Sequence, residues 1–146
     1  MRTRRDFLHI ALTAPLLPAS LRWPSSDRRA DSLFTQRRPG GLYTVLCDER
    51  FAESVAFAEE MSRHGTPITR FRGDITDFWY RDLSQRWKAG AVAIAGVTTY
   101  GPLFCLERWG WDHGLRLAYR RDLSVAGEHE TLILWVIAPY RRNERA

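Results

Sequence analysis

A chain of 146 residues has room for one domain, and 45% hydrophobic with 12% aromatic residues exclude a disordered tail. The net charge of +5 does not point to nucleic acid: the first twenty residues hold three of the 22 basic groups and one of the 17 acidic ones, leaving +3 for the rest. No basic run is interleaved with aromatics, and Lys88 is the only lysine.

The chain opens with Thr3-Arg4-Arg5-Asp6-Phe7-Leu8, then an uncharged stretch that reaches Leu21. That stretch suits a signal segment better than a membrane span, which needs ~20 apolar residues. A polar residue ahead of Arg4 and Arg5, with Phe7 and Leu8 one position beyond Asp6, resembles the twin-arginine export consensus. His9 stands where that consensus often has Lys, and Leu17-Pro18-Ala19 is the nearest approach to a cleavage site. The resemblance covers residues 1–21 and implies passage through the twin-arginine translocase as a finished fold, with a cofactor aboard or on a partner that carries one. The expected location is the periplasm or the outer face of the cytoplasmic membrane, with membrane contact only through this segment. Residues 22–40, with Pro24-Ser25-Ser26 and Pro39-Gly40, read as a flexible linker, leaving 41–146 as a single α/β domain.

From Leu42 a unit repeats: an apolar run, a helix-period segment, then a basic residue or histidine at or just before a glycine. Leu42 to Cys47 predicts a strand, and Phe51, Val55, Ala58 and Met61 predict an amphipathic helix closed by His64-Gly65. Pro67 to Phe71 is the next strand; Ile75, Trp79, Leu83 and Trp87 form one helical stripe, with Asp74 or Thr76 as cap and Lys88-Ala89-Gly90 as its end. Ala91 to Val97 is a third strand, Gly101-Pro102 opens a third helix, and His113-Gly114 ends it. Leu115 to Tyr119 and the unbroken apolar run in Thr131 to Ala138 predict two last strands with no helix between them, hence an antiparallel pair. The expected class is a three-layer α/β sandwich with a mostly parallel sheet of about five strands, flavodoxin-like or half-Rossmann in outline.

In such sheets ligands bind beyond the carboxyl ends of the strands. Those ends carry Asp48-Glu49-Arg50, Arg72-Gly73-Asp74 and Thr98-Thr99-Tyr100, a mixture of carboxylates, guanidiniums and hydroxyls next to helix N-termini that suits a small polar or anionic ligand. Asp48, Asp74, Thr98 and Thr99 are equally what helix caps look like. Cys47 and Cys105 approach the same edge and read either as a disulfide, which an exported protein permits, or as two buried thiols. Glu107 lies between Leu103 and Trp111 on a largely apolar helix and reads as a partly buried acid or as half of a surface ion pair.

No iron–sulfur, haem, nucleotide or zinc-protease motif is present, and no Ser-His-Asp set. The cofactor is left unassigned. The first functional expectation is a noncatalytic ligand-binding or accessory protein, serving a periplasmic redox enzyme or a small polar ligand, with Trp79, Trp87, Trp109 and Trp111 as a candidate partner surface. The alternative is a small hydrolase or transferase using Asp48, Asp74 and Glu107, with a divalent metal on oxygen ligands.

Overall fold

A computed structural model describes residues 41–124, 127 and 129–140; the export segment and the linker lie outside them. Five strands and three helices make a mixed α/β domain. Strand β1 is Thr44–Asp48, helix α1 Ala52–Arg63 and strand β2 Ile68–Phe71. Helix α2 joins an α turn at Thr76–Phe78, a π-helical turn at Trp79–Leu83 and an α segment at Ser84–Ala89. Strand β3 is Ile94–Thr98, helix α3 Tyr100–Trp111, β4 Leu115–Leu123 and β5 Leu132–Pro139.

The strand order is β2-β1-β3-β5-β4. β1 pairs in parallel with β2 and β3, whereas β5 runs antiparallel to both neighbours, β3 and β4. The expected antiparallel C-terminal pair is present, but its order is inverted relative to the chain. The reason is composition. β5 is apolar from Leu132 to Ile137 and buried along that length, so it needs a neighbour on each side and cover on both faces. β4 carries Arg116, Arg120, Arg121 and Asp122, which suit an edge strand because charge there discourages pairing with another chain. β4 also runs to Leu123, four residues past the expected end, because Arg120 to Leu123 continue the ladder with Trp135 to Leu132.

Two apolar clusters share the sheet. Val45 and Cys47 pack with Phe57, Ala58 and Met61 of α1, while Leu46 packs with Ile75 just ahead of α2, Leu83 and Trp87 of α2, and Leu103 and Leu106 of α3. That division follows from the two-residue alternation of side chains along a strand. Each fully buried Leu, Ile or Val contributes ~1.5–3 kcal/mol. Ile75, Trp79, Leu83 and Trp87, spaced four apart, would drift around a helix of 3.6 residues per turn. The π turn takes up part of that drift, and all four reach one cluster, Trp79 at its margin. Gly65 and Gly114 close α1 and α3 at φ 83° and 75°, as the His-Gly pairs predict.

At the centre, Gly96 of β3 sits under Trp135 of β5; a Cβ there would lie 3.0 Å from both the Leu46 carbonyl oxygen and the Trp135 ring. Leu46 is backbone-fixed and Trp135 is fully buried, so neither can yield. Gly96→Ala is therefore expected to lower unfolding free energy by about 1–3 kcal/mol through overpacking, read as a lower midpoint in urea denaturation with an unchanged slope.

Candidate functional site

Because β5 runs against β3, the start of β5 and the end of β4 come to the carboxyl edge of β1 and β3. There an open groove of about 600 Å³ is walled by Arg50, Thr99, Gly101, Arg120 and Glu130 among others. It lies where β1 and β3 are neighbours although β2 stands between them in sequence, which is the switch point that favours ligands in sheets of this kind.

Asp48 ends β1 and is fully buried. Its carboxylate accepts from Arg50 Nε at 3.1 Å and Nη2 at 2.8 Å, and from the Arg50 backbone N–H at 3.2 Å. Its own N–H donates to Ser54 Oγ at 2.9 Å, tying strand to helix. Asp48 thus braces an arginine, and α1 has no side-chain cap at Phe51, contrary to the capping expectation. The Arg50 side chain remains 41% exposed, with its guanidinium carbon 5.0 Å from the Phe51 ring centre. Gly73, at φ 79°, lets that guanidinium pass: a Cβ would meet its carbon at 2.8 Å. The hydrogen bond to Asp48, together with the charges of Asp48 and Glu130, holds Arg50 above its usual pKa.

Thr98 is fully buried and caps nothing; its hydroxyl accepts from Trp135 Nε1 and donates to the Thr99 carbonyl, both at 2.9 Å. Thr99 is the N-cap residue of α3 by position, yet its side chain makes no cap hydrogen bond. Tyr100 is half exposed and lies against Phe104, with Arg120 over its ring. Arg72 and Asp74 form a small bridge outside the groove lining. Asp74 accepts from the Thr76 N–H at 2.8 Å but stands one residue before the N-cap of α2, which is Ile75 and has no side-chain cap bond. Hydrogen bonding by Thr76, side chain then backbone, lowers its pKa.

Asp48, Asp74 and Glu107 do not form a metal site, because among the described residues no group of three His, Cys, Asp or Glu is placed to hold an ion. Cys47 and Cys105 are both free, the first buried and the second partly so, and pack against different clusters, so of the two readings of this pair the structure has the thiols. Burial pushes the Cys47 thiol up, which leaves it a poor nucleophile. Three of the four tryptophans read as a partner surface pack inward: Trp79 stacks on Trp109 at 4.5 Å, and Trp87, edge-on to Trp79 at 5.8 Å, donates to the Val92 carbonyl. Only Trp111 is exposed, beneath Arg108 and Arg116. No helix among the described residues is long and apolar enough to cross a membrane.

Arg120, Asp122, Glu130 and Thr131 line the groove and were not among the residues expected there. The polar alternation of Arg120 and Asp122 marks an exposed strand, but only the placement of β5 beside β3 brings it to this edge. No protein-family model, curated protein or solved structure matches the chain.

Two outcomes are expected. Arg50→Met strands a buried carboxylate and lowers stability by about 2–4 kcal/mol, reduced from the fully buried case because Arg50 reaches solvent; adding Asp48→Asn recovers most of it, as a double-mutant cycle in urea will read. The depressed pKa of Asp74 stabilises the fold above its unfolded value of about 3.9, and this gain is lost as pH falls through the lower folded value. The stability difference between wild type and Asp74→Ala is accordingly expected at neutral pH and to vanish in acid.

Proposed function

We propose that the chain is an exported, noncatalytic binding protein that holds a small polar ligand in the groove at the carboxyl edge of its sheet. The observation that carries the reading is the groove's position at the β1–β3 switch point, against the start of α3. The first turn of a helix presents N–H groups without intrahelical acceptors and the positive end of its dipole. Support for a three-layer, flavodoxin-like arrangement comes from the two clusters and the order of the first three strands. Support for export through the twin-arginine translocase comes from Arg4, Arg5, Phe7 and Leu8, and a place in the periplasm or at the outer face of the cytoplasmic membrane follows from it.

Catalysis by carboxylates is not favoured, since Asp48 is neutralised by Arg50 and Asp74 is committed to Thr76. An accessory role toward a periplasmic enzyme has one observation behind it. Phe104 and Trp111 on α3 and Tyr140 after β5 are exposed, and Arg116 lies over both Trp111 and Tyr140; aromatics and arginine are enriched at protein interfaces.

Native mass spectrometry of the protein from a periplasmic fraction is expected to find a bound small molecule, absent when Gly101→Leu fills the groove. In the same strain, replacing Arg4 and Arg5 by lysine is expected to hold the protein in the cytoplasm. A mass equal to the bare chain, or export unaffected by the lysines, counts against the respective half of the reading.

A further inference from the structure

We propose that the groove takes a neutral sugar, held by the paired guanidiniums and carboxylates of its wall and by the ring of Tyr100. The inference rests on the groove being a ligand site and names the class of ligand.

The charges of the wall come in opposed pairs. Arg50 is joined to Asp48 at 2.8 Å and Arg120 to Asp122 at 3.0 Å, while Glu130 is exposed and its charge acts on Arg50. A simple anion therefore meets a carboxylate beside each guanidinium, and a simple cation meets a guanidinium beside each carboxylate. Neither finds a free opposite charge to offset the hydration it loses on entry.

Hydrogen-bonding capacity, unlike charge, is left over. Toward Asp48, Arg50 uses Nε and Nη2, and toward Asp122, Arg120 uses Nε alone. Among the described residues, Nη1 of Arg50 and both Nη atoms of Arg120 bond to no other side chain, and Asp122 Oδ2, Glu130 and Thr131 accept no bond. A hydroxyl donates once and accepts twice. Adjacent hydroxyls of a sugar can therefore bridge a guanidinium and the carboxylate next to it, in the stronger kind of hydrogen bond that has one ionised partner.

The shape of the groove agrees with this chemistry. Tyr100 is 53% exposed in the wall, and beside it a Cβ on Gly101 would meet nothing within 4 Å. A sugar ring has an apolar face of C–H groups with hydroxyls around its rim, so it can pack on an aromatic ring while its hydroxyls reach polar groups at the side. The groove volume of about 600 Å³ falls within the roughly 300–1,000 Å³ of small-molecule sites.

The test measures binding to the full chain by calorimetry, with glucose, galactose, mannose and N-acetylglucosamine offered singly at millimolar concentration, then the uronic acid and the amino sugar of the same ring. At least one neutral sugar is expected to bind, and neither charged form to bind more tightly. Tyr100→Ala should weaken the sugar by about tenfold with no change in circular dichroism, since the ring is exposed. Asp122→Asn leaves Arg120 without its carboxylate and should raise the affinity for the uronic acid relative to the neutral sugar by about tenfold, a shift in preference that loss of structure would not produce. Gly101→Leu should abolish binding. A wild-type preference for either charged form overturns the inference. Failure of every neutral sugar overturns it as well; the groove survives that result where acetate, phosphate or an amino acid binds and is blocked by Gly101→Leu, and falls with the sugar where none of them binds. Sugar binding that ignores both Gly101→Leu and Tyr100→Ala overturns the two together.

Discussion

Burial of β5 between β3 and β4 is the interaction on which the rest of the structure depends. Leu132 to Ile137 offer six consecutive apolar side chains, and only a position inside the sheet covers both faces of such a run. Alternate residues then feed different clusters: Leu132, Leu134 and Val136 join the cluster of α1, while Ile133, Trp135 and Ile137 join that of α2 and α3. One strand therefore couples all three helices to one sheet. With β5 inside, β4 is displaced to the edge, where its arginines are tolerated.

The same insertion builds the candidate site. Trp135 lies over Gly96 and donates to Thr98, which in turn bonds the Thr99 carbonyl. That short chain of bonds fixes the junction between β3 and α3 from below. On the other wall, Asp48 holds Arg50 in place, while Phe51 and Gly73 flank its guanidinium. A long basic side chain is thereby held in one place at the wall of the groove.

Away from the groove, aromatic residues divide between packing and exposure according to their helix face. Trp79 meets Trp87, Trp109 and His113, and Trp87 also meets His113, where the His113 ring nitrogen is 2.9 Å from the Trp109 carbonyl. Phe104 and Trp111, on the same helix as Trp109, face solvent. Tryptophan content alone could not separate these roles, because interfaces and cores both use large apolar area.

Much was legible from the chain alone, and the reason is local. The spacing of Phe51, Val55, Ala58 and Met61, the His-Gly endings at 64–65 and 113–114, and the apolar run near the C-terminus are short-range signals that determine helices, strands and their order along the chain. They also located Asp48, Arg50, Thr99 and Tyr100 at strand ends. Tertiary structure alone decided which strand lies beside which. The place of β5 minimises exposed apolar area over the whole sheet, a sum over residues far apart in sequence, and no local pattern encodes it. For that reason Arg120 and Glu130 joined the groove, the two thiols parted to different clusters, and Asp48 became the brace of an arginine instead of a helix cap.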